Sequence, residues 1–309
     1  MYFSKVKEAD RTALSYVHLP TRRKRQLLVT LILIIGLSVV YVNYCCQQKA
    51  VNGRGVWNRN LSSPVIAVGG GITSKGVQEV NANNIAAKFQ LFYTFIPTFC
   101  ETASPGYDYR FYFAYDFNDA VFTNTRLLAA FQQTFADEMR RLCSEPRNIK
   151  SSLHMIECNY TGKPAWAQND AMLEAYLDDA DYYYRINDDT EVETDGWVDA
   201  FLAALNQYEP PLVGVVGPSV RGIPYILTYE FVHGTHVDIF GFYYPRLFTE
   251  WWGDKWLQEV YEPDRSTMLS HITVNHTREL GRRYNKPQTM STFNKFSGQL
   301  KRDSSILNR

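Results

Sequence analysis

Residues 182–190 have the sequence YYYRINDDT, an aromatic run that ends in two adjacent carboxylates. Tyrosine and isoleucine favour β-strands, and clusters of Asp and Asn commonly end them. The stretch therefore predicts a buried strand that carries Asp188 and Asp189 at its carboxyl end. In open α/β sheets, ligands bind at this end of the strands.

The segment around this predicted strand is strongly acidic. Between Asp178 and Asp199 there are nine carboxylates and a single base, Arg185. Two carboxylates held close together repel each other, and one takes up a proton unless a cation intervenes. A divalent cation relieves that repulsion and commonly links a protein to a substrate phosphate. The pattern leaves open a second interpretation, a solvated acidic loop that caps the next helix.

Apolar runs alternate with helical patterns along most of the chain. Strands are predicted at 64–68, 109–115, 153–158, 182–187 and 211–218, and helices at 85–99, 124–143, 165–179 and 195–207. This alternation predicts an α/β fold with a mostly parallel central sheet flanked by helices. Three glycines, residues 69–71, follow the first strand and would allow a close backbone approach to a ligand.

The amino-terminal segment has a different character. Residues 1–25 carry seven bases and two acids, and residues 27–46 carry no charge. At ~1.5 Å per residue, a helix over 27–46 would cross a hydrocarbon core of ~30 Å, with the basic side in the cytosol. We therefore expect a basic tail at 1–26, a single transmembrane signal anchor at 27–46 and a stem at 47–63. A cleaved signal peptide and a buried core helix are the alternatives.

The rest of the chain is then expected in the lumen of the endoplasmic reticulum or Golgi. Three sequons, at Asn60, Asn159 and Asn275, are compatible with that location. We expect residues 64–283 to form one domain and residues 284–309 a loose tail.

Cysteine content and charge add two further expectations. Cys100, Cys143 and Cys158 allow at most one internal disulfide, with buried free thiols as the alternative. The formal net charge is zero, so the composition gives no indication of nucleic-acid binding.

The tripeptide Asn187-Asp188-Asp189 resembles the acidic metal motif of GT-A fold glycosyltransferases, an acidic residue, any residue and an Asp. This chain departs from that motif because its first position is Asn. Four stretches are similar to the glycosyltransferase-like C-terminal domain of the oestrogen-regulated growth protein of breast tissue: PGYDYRFYFAYDFND, YYYRINDDTEVETDGW, FVHGTHVDIFGFYYP and WWGDKW. Over roughly residues 64–283, the chain resembles a GT-A glycosyltransferase anchored as a type II membrane protein.

This resemblance implies transfer of a sugar from a nucleotide-sugar, such as a UDP-sugar, to a hydroxyl of a glycan or glycoprotein, with Mn²⁺ or Mg²⁺ on the diphosphate. It implies Asp189 as the direct metal ligand and the late His276 as a residue that completes the metal shell. Asp188 would contact the ribose or a metal-bound water. Asp116 would bind the nucleoside, with a turn cap as the alternative. Lys75 is a candidate phosphate contact, with a simple turn as the alternative.

The stretch WWGDKW at residues 251–256 is expected on the acceptor side. Tryptophan faces stack on sugar rings, so Trp251 and Trp252 are candidate acceptor contacts. Inverting GT-A enzymes place an acidic residue in a comparable segment to deprotonate the acceptor hydroxyl, which makes Asp254 the candidate catalytic base. A helix cap followed by core tryptophans is the alternative.

Two histidines, His233 and His236, are further candidate acceptor contacts. On a strand, residues three apart face opposite sides, so this spacing disfavours a shared zinc site. We expect these side chains to hydrogen-bond the substrate or each other.

Two other functions remain open at this point. The first is a non-catalytic carbohydrate-binding or scaffold protein that retains the fold, which Asn187 favours. The second is a nucleotidyltransferase or a nucleotide-sugar hydrolase on a similar sheet, because fold analogy alone does not separate these activities.

Overall fold

The computed structural model describes residues 63–144, 146–223, 225–277 and 290–307. The strands are β1 (Val65–Gly71), β2 (Asp108–Tyr115), β3 (Lys150–Glu157), β4 (Tyr182–Arg185), β5 (Thr190–Val192), β6 (Val215–Val220), β7 (Phe231–His233) and β8 (Ser266–His276). The helices are α1 (Ile85–Lys88), α2 (Ile96–Thr102), α3 (Thr125–Leu142), α4 (Pro164–Leu177), α5 (Trp197–Leu205), α6 (Thr235–Phe240), α7 (Gly253–Tyr261) and α8 (Met290–Leu307), with a π-helical segment at Leu91–Phe95.

The strands form one eight-stranded sheet in the order β3-β2-β1-β4-β7-β6-β8-β5. Four neighbouring pairs are parallel, and the pairs β4–β7, β6–β7 and β5–β8 are antiparallel. The predicted α/β fold with a mostly parallel sheet flanked by helices is confirmed. Because six of the strands run in one direction, their carboxyl ends lie along the same edge, which we call the carboxyl edge.

Hydrophobic clusters cover both faces of the sheet, and the side-chain alternation of β4 shows how. Tyr184 packs against Trp197 of α5 on one face, with ring centroids 4.7 Å apart. Its neighbour Tyr183 faces the opposite cluster, with its ring 6.4 Å from that of Tyr243. Since successive strand residues point to opposite faces, an all-aromatic strand fits a sheet that is covered on both sides.

The three glycines at the end of β1 serve strand packing. A Cβ added to Gly69 would lie 1.9 Å from the carbonyl oxygen of Tyr112, and one added to Gly70 would lie 2.7 Å from that of Ile186. The expected close approach of a ligand to these glycines is therefore wrong. The close approach is that of β1 to its neighbours β2 and β4, which only glycine permits at these distances.

The predicted helix at 85–99 is divided. Phe89 is extended between α1 and the π-helical segment, and the π-helical segment runs directly into α2. Pro97 lies in the first turn of α2, directly after the π-helical segment.

The carboxyl-terminal residues 290–307 form α8, so the predicted loose tail is wrong over this range. Phe296 is buried and its ring lies 5.3 Å from that of Trp252. Asp303 accepts a hydrogen bond of 3.0 Å from Nε1 of Trp256 in α7. Packing against α7 stabilises a helix whose polar sequence gave little periodic signal.

The predicted basic tail, signal anchor and residues 47–62 of the stem lie outside the described residues. Among the described helices, none combines the length and the apolar character needed to cross a membrane. Cys100 of α2 and Cys143 at the end of α3 form a disulfide, and Cys158 is a buried free thiol.

Candidate functional site

The carboxyl edge brings Asp189 and His276 together. Oδ2 of Asp189 lies 2.9 Å from Nε2 of His276. The pairing of β5 with β8 aligns Thr190 with His276, which places the preceding aspartate beside the histidine ring. Both of these predicted metal ligands are therefore at one place, although they come from separate parts of the chain.

This geometry is compatible with two ligands of one cation. Adjacent ligands of an octahedral ion with bonds of ~2.1 Å lie roughly 3 Å apart. A carboxylate oxygen and an imidazole nitrogen form a suitable donor set for Mn²⁺. Asp188, the predicted ribose or water contact, is 3% exposed and adjacent in sequence. Within the described ranges, no three His, Cys, Asp or Glu side chains gather closely enough to hold a metal ion by themselves.

A chain of hydrogen bonds holds the backbone at Asp189. The Nε2 amide of Gln90 donates to Oγ1 of Thr277 over 2.9 Å, and that hydroxyl donates to the carbonyl oxygen of Asp189 over 3.2 Å. Gln90 is 1% exposed and lies directly before the π-helical segment. Sequence analysis missed Gln90, because nothing in an apolar helical stripe indicates which polar residue faces the sheet edge.

A buried ion pair lies beneath the acidic tripeptide. Nη2 of Arg185 lies 3.1 Å from Oε2 of Glu230, and both side chains are buried. Nη1 of Arg185 donates to Oδ1 of Asn187 over 3.0 Å. The Asn187 amide oxygen, at the departure from the GT-A motif, is thus engaged with a cationic side chain.

The sequence contains a signal for this buried pair. Arg185 is the only base in the acidic segment, and Glu230 is the only charged residue between Gly222 and Val232. A lone charge in an apolar strand requires a partner when it is buried.

Asp254 lies in the first turn of α7 and is half-buried. The pKa of Glu230 is raised to about 7, first by burial and then by the nearby charge of Asp254, against the opposing effect of Arg185. The same aspartate favours the charged form of Arg185. Asp254 is therefore an electrostatic neighbour of the buried pair, and the structure brings the predicted base close to the end of β4.

The three tryptophans around Asp254 have different environments. Trp251 is 38% exposed, Trp252 is half-buried against Phe296, and Trp256 is fully buried. Trp251 is the most exposed of the three. Trp256 belongs to the core, as the alternative interpretation of this stretch predicted.

The predicted acceptor contacts His233 and His236 lie away from the site. His233 pairs with Tyr182 at the amino end of β4, which is the sheet edge opposite Asp188. His236 is 1% exposed in α6, with Nδ1 3.0 Å from the Tyr261 hydroxyl and Nε2 2.9 Å from the Tyr243 carbonyl oxygen. Burial lowers the pKa of His236 to about 4. The structure brings neither histidine to the carboxyl edge, because β7 ends at His233 and the chain then turns into α6.

A cleft of about 700 Å³ opens at the carboxyl edge, and neither Asp189 nor His276 lines it. Its lining comes from the loops after β1, β2 and β3 and includes Thr73, Lys75, Asp116 and Gly162. Lys75 and Asp116, the predicted phosphate and nucleoside contacts, therefore share one cavity. Adjacent strands are about 4.8 Å apart, so the ends of β2 and β4 are separated by roughly 10 Å.

Asp116 and Asp119, both after β2, have different surroundings. Oδ2 of Asp116 accepts from the Gly162 amide over 2.9 Å, which connects the loops after β2 and β3. Asp119 is buried and accepts from the amide and hydroxyl of Ser74, each over 2.7 Å, and from the amide of Val121 over 3.0 Å. Asp119 is a structural carboxylate that fixes the wall of the cleft.

Comparisons with known proteins identify no family for this chain. No protein-family model matches it, and no curated protein is significantly similar to it.

Proposed function

We propose that this chain is a metal-dependent glycosyltransferase of the GT-A type, which moves a sugar from a nucleotide-sugar to a hydroxyl of a glycan or glycoprotein. The observation that carries the proposal is the 2.9 Å contact between Asp189 and His276 at the carboxyl edge. It supports a cation position at the same edge of the sheet as a cleft of about 700 Å³, a size suited to a small-molecule ligand.

In this proposal the nucleoside of a donor such as a UDP-sugar occupies the cleft beside Asp116. The exposed Lys75 lies along the same cavity and would contact a phosphate. Asp189 and His276 would hold Mn²⁺ or Mg²⁺, and Asp188 would contact the ribose or a metal-bound water. When bound, the cation stabilises the negative charge of the departing diphosphate as a Lewis acid.

The proposed transfer step inverts the configuration at the anomeric carbon. The acceptor hydroxyl oxygen forms a bond to the anomeric carbon, and the bond between that carbon and the diphosphate oxygen breaks. Asp254 takes the hydroxyl proton, and the nucleoside diphosphate leaves with the electron pair. The half-exposed ring of Trp251 provides an apolar face for the acceptor sugar.

The proposed location is the lumen of the Golgi or endoplasmic reticulum, with residues 27–46 as a type II membrane anchor. The Cys100–Cys143 disulfide supports an oxidising compartment, because such bonds are rare in the cytosol.

Release of nucleoside diphosphate from a panel of nucleotide-sugars, with Mn²⁺ and a glycan panel, tests the proposal. We expect release from one donor that depends on the acceptor and is abolished by EDTA. The variant Asp264→Asn removes an exposed carboxylate just before the amino end of β8, at the sheet edge opposite the site, and serves as a control. A folded protein that turns over no donor contradicts the proposal, and sugar transfer to water alone indicates a hydrolase.

One observation favours a second candidate, a non-catalytic carbohydrate-binding protein that retains the fold. The amide oxygen of Asn187 accepts from Arg185, so the first position of the motif contributes no carboxylate to a cation. Glycan binding that neither EDTA nor a nucleotide changes would support this candidate over the transferase.

A further inference from the structure

Two Asn-x-Thr sequons lie within the described residues, and the structure gives them opposite surroundings. Asn159 is exposed in the loop between β3 and α4, and Thr161 is exposed beside it. Tyr160 between them is buried, and its hydroxyl donates to Oδ2 of Asp170 over 2.6 Å. This anchor fixes the loop while it leaves the Asn159 amide on the surface.

In the second sequon, the side chains of Asn275 and Thr277 both form hydrogen bonds. Nδ2 of Asn275 donates to Oε2 of Glu191 over 3.0 Å, and its Oδ1 accepts from the amide of His276 over 2.9 Å. Thr277 donates its hydroxyl to the Asp189 carbonyl oxygen and accepts from Gln90. Glu191 and Asn275 are directly paired across β5 and β8.

We propose that Asn159 carries an N-linked glycan in the folded protein and that Asn275 does not. The inference rests on the luminal location contained in the proposed function, because only there does the chain meet the donor, a lipid-linked oligosaccharide diphosphate. The Nδ2 atom forms a bond to the first sugar, the bond between that sugar and the phosphate breaks, the amide loses one proton and the lipid diphosphate leaves.

The structure explains why the two asparagines differ. A bulky glycan on Asn159 projects into solvent and disturbs no described contact. A glycan on Nδ2 of Asn275 would stand between β5 and β8, where it would displace Glu191 and crowd the Asp189–His276 pair. A chain modified there could not close this strand pair.

A glycan at Asn159 has a defined position relative to the cleft. Thr161 and Gly162, two and three residues further on, line that cavity. The first sugars therefore lie at the rim formed by the loop after β3.

The test is site-resolved mass spectrometry of the full chain expressed in a eukaryotic secretory host. Treatment with peptide N-glycosidase in ¹⁸O-water converts a glycosylated Asn into labelled Asp. We expect label at Asn159 and none at Asn275. The Thr161→Ala variant should lose the glycan and the matched Thr161→Ser variant should keep it, since only the second retains a sequon.

The possible results separate the glycan sites, the luminal location and the transferase activity. An unmodified Asn159 in protein that carries a glycan at Asn60 overturns the assignment while export to the lumen stands. Absence of label at both Asn60 and Asn159 overturns the assignment and the luminal location together. Label at Asn275 overturns the second half of the proposal. Donor turnover is measured separately, so inactive protein with a glycan at Asn159 rejects the transferase and leaves the glycan site intact.

Discussion

Nε2 of His276 lies 2.9 Å from Oδ2 of Asp189, although 87 residues separate them in the chain. The contact exists because the short strand β5 runs antiparallel to the carboxyl end of β8. It joins a carboxylate and an imidazole at the edge of the sheet where ligands of α/β proteins bind.

The Asp189→Asn and His276→Gln variants should lose the stabilisation that Mn²⁺ and a nucleoside diphosphate give the wild type. At 100 times Kd, a ligand adds about 2.7 kcal/mol to the free energy of unfolding. For a domain of this size that corresponds to about 5–10 °C in Tm. Differential scanning fluorimetry measures the shift, with Asp264→Asn as the matched control. An unchanged shift in both site variants would rule out the proposed cation position.

The Asp254→Asn variant should retain that thermal shift and lose turnover. A general base contributes typically about 10²–10⁴-fold to the rate, so kcat should fall by this factor. Glu259→Gln, on the same helix and paired with Lys255, is the control and should leave kcat unchanged. If the Asp254→Asn variant keeps the wild-type kcat, Asp254 is not the general base of the chemical step.

Neutral His236 should make stability depend on pH. Burial lowers the pKa of this imidazole from 6.5 to about 4, so the unfolded chain binds the proton more tightly between these values. The contribution of neutral His236 is complete above about pH 6.5 and is lost as the pH falls towards 4, by about 3 kcal/mol at most. Urea unfolding at several pH values measures this contribution as the difference in the free energy of unfolding between wild type and His236→Gln.

The buried Glu230 has a raised pKa and contributes the opposite slope in this range, but it titrates in both proteins and cancels in that difference. The exposed His271→Gln variant is the control and should run parallel to the wild type. A difference between wild type and His236→Gln that stays constant from pH 4 to 6.5 would show that His236 does not titrate as its burial requires.

Removal of one partner of the buried Arg185–Glu230 pair should be costly. Glu230→Gln leaves the guanidinium charge buried and should lower the free energy of unfolding by about 3–5 kcal/mol. The double variant Arg185→Met with Glu230→Met should lose less unfolding free energy than the single variants Arg185→Met and Glu230→Met. In the double variant no uncompensated charge remains. Equal and additive losses in the cycle would indicate that the two side chains do not interact.

The Asp303→Ala variant should weaken the packing of α8 on α7 and lower the free energy of unfolding. The Nε1 group of Trp256 would lose its acceptor while it stays buried, which costs about 1–3 kcal/mol. Lys301→Ala, at an exposed position of the same helix, is the matched control. Chemical denaturation monitored by tryptophan fluorescence measures the free energy of unfolding of both variants. Equal stability of the two variants would count against a stabilising role of the Trp256–Asp303 hydrogen bond.

Part of this molecule follows from local sequence. The alternation of apolar runs and amphipathic helices predicted the parallel sheet, because burial on both faces imposes the same composition on every central strand. The run YYYRINDDT placed Asp188 and Asp189 at the end of a strand, since Asp-rich tips and aromatic strands are local preferences. Asp116, directly after β2, was placed at a strand end in the same way.

The remainder depended on contacts between distant segments. Only the β5–β8 pairing joins His276 to Asp189, and only the helical turn after β7 takes His236 into the core. The helix of residues 290–307 is stabilised by Trp256 and its neighbours rather than by its own sequence pattern. Local propensity and periodicity predicted most of the central strands and helices, whereas the identity of a buried partner is decided when the whole sheet closes, because burial energy depends on which surfaces meet.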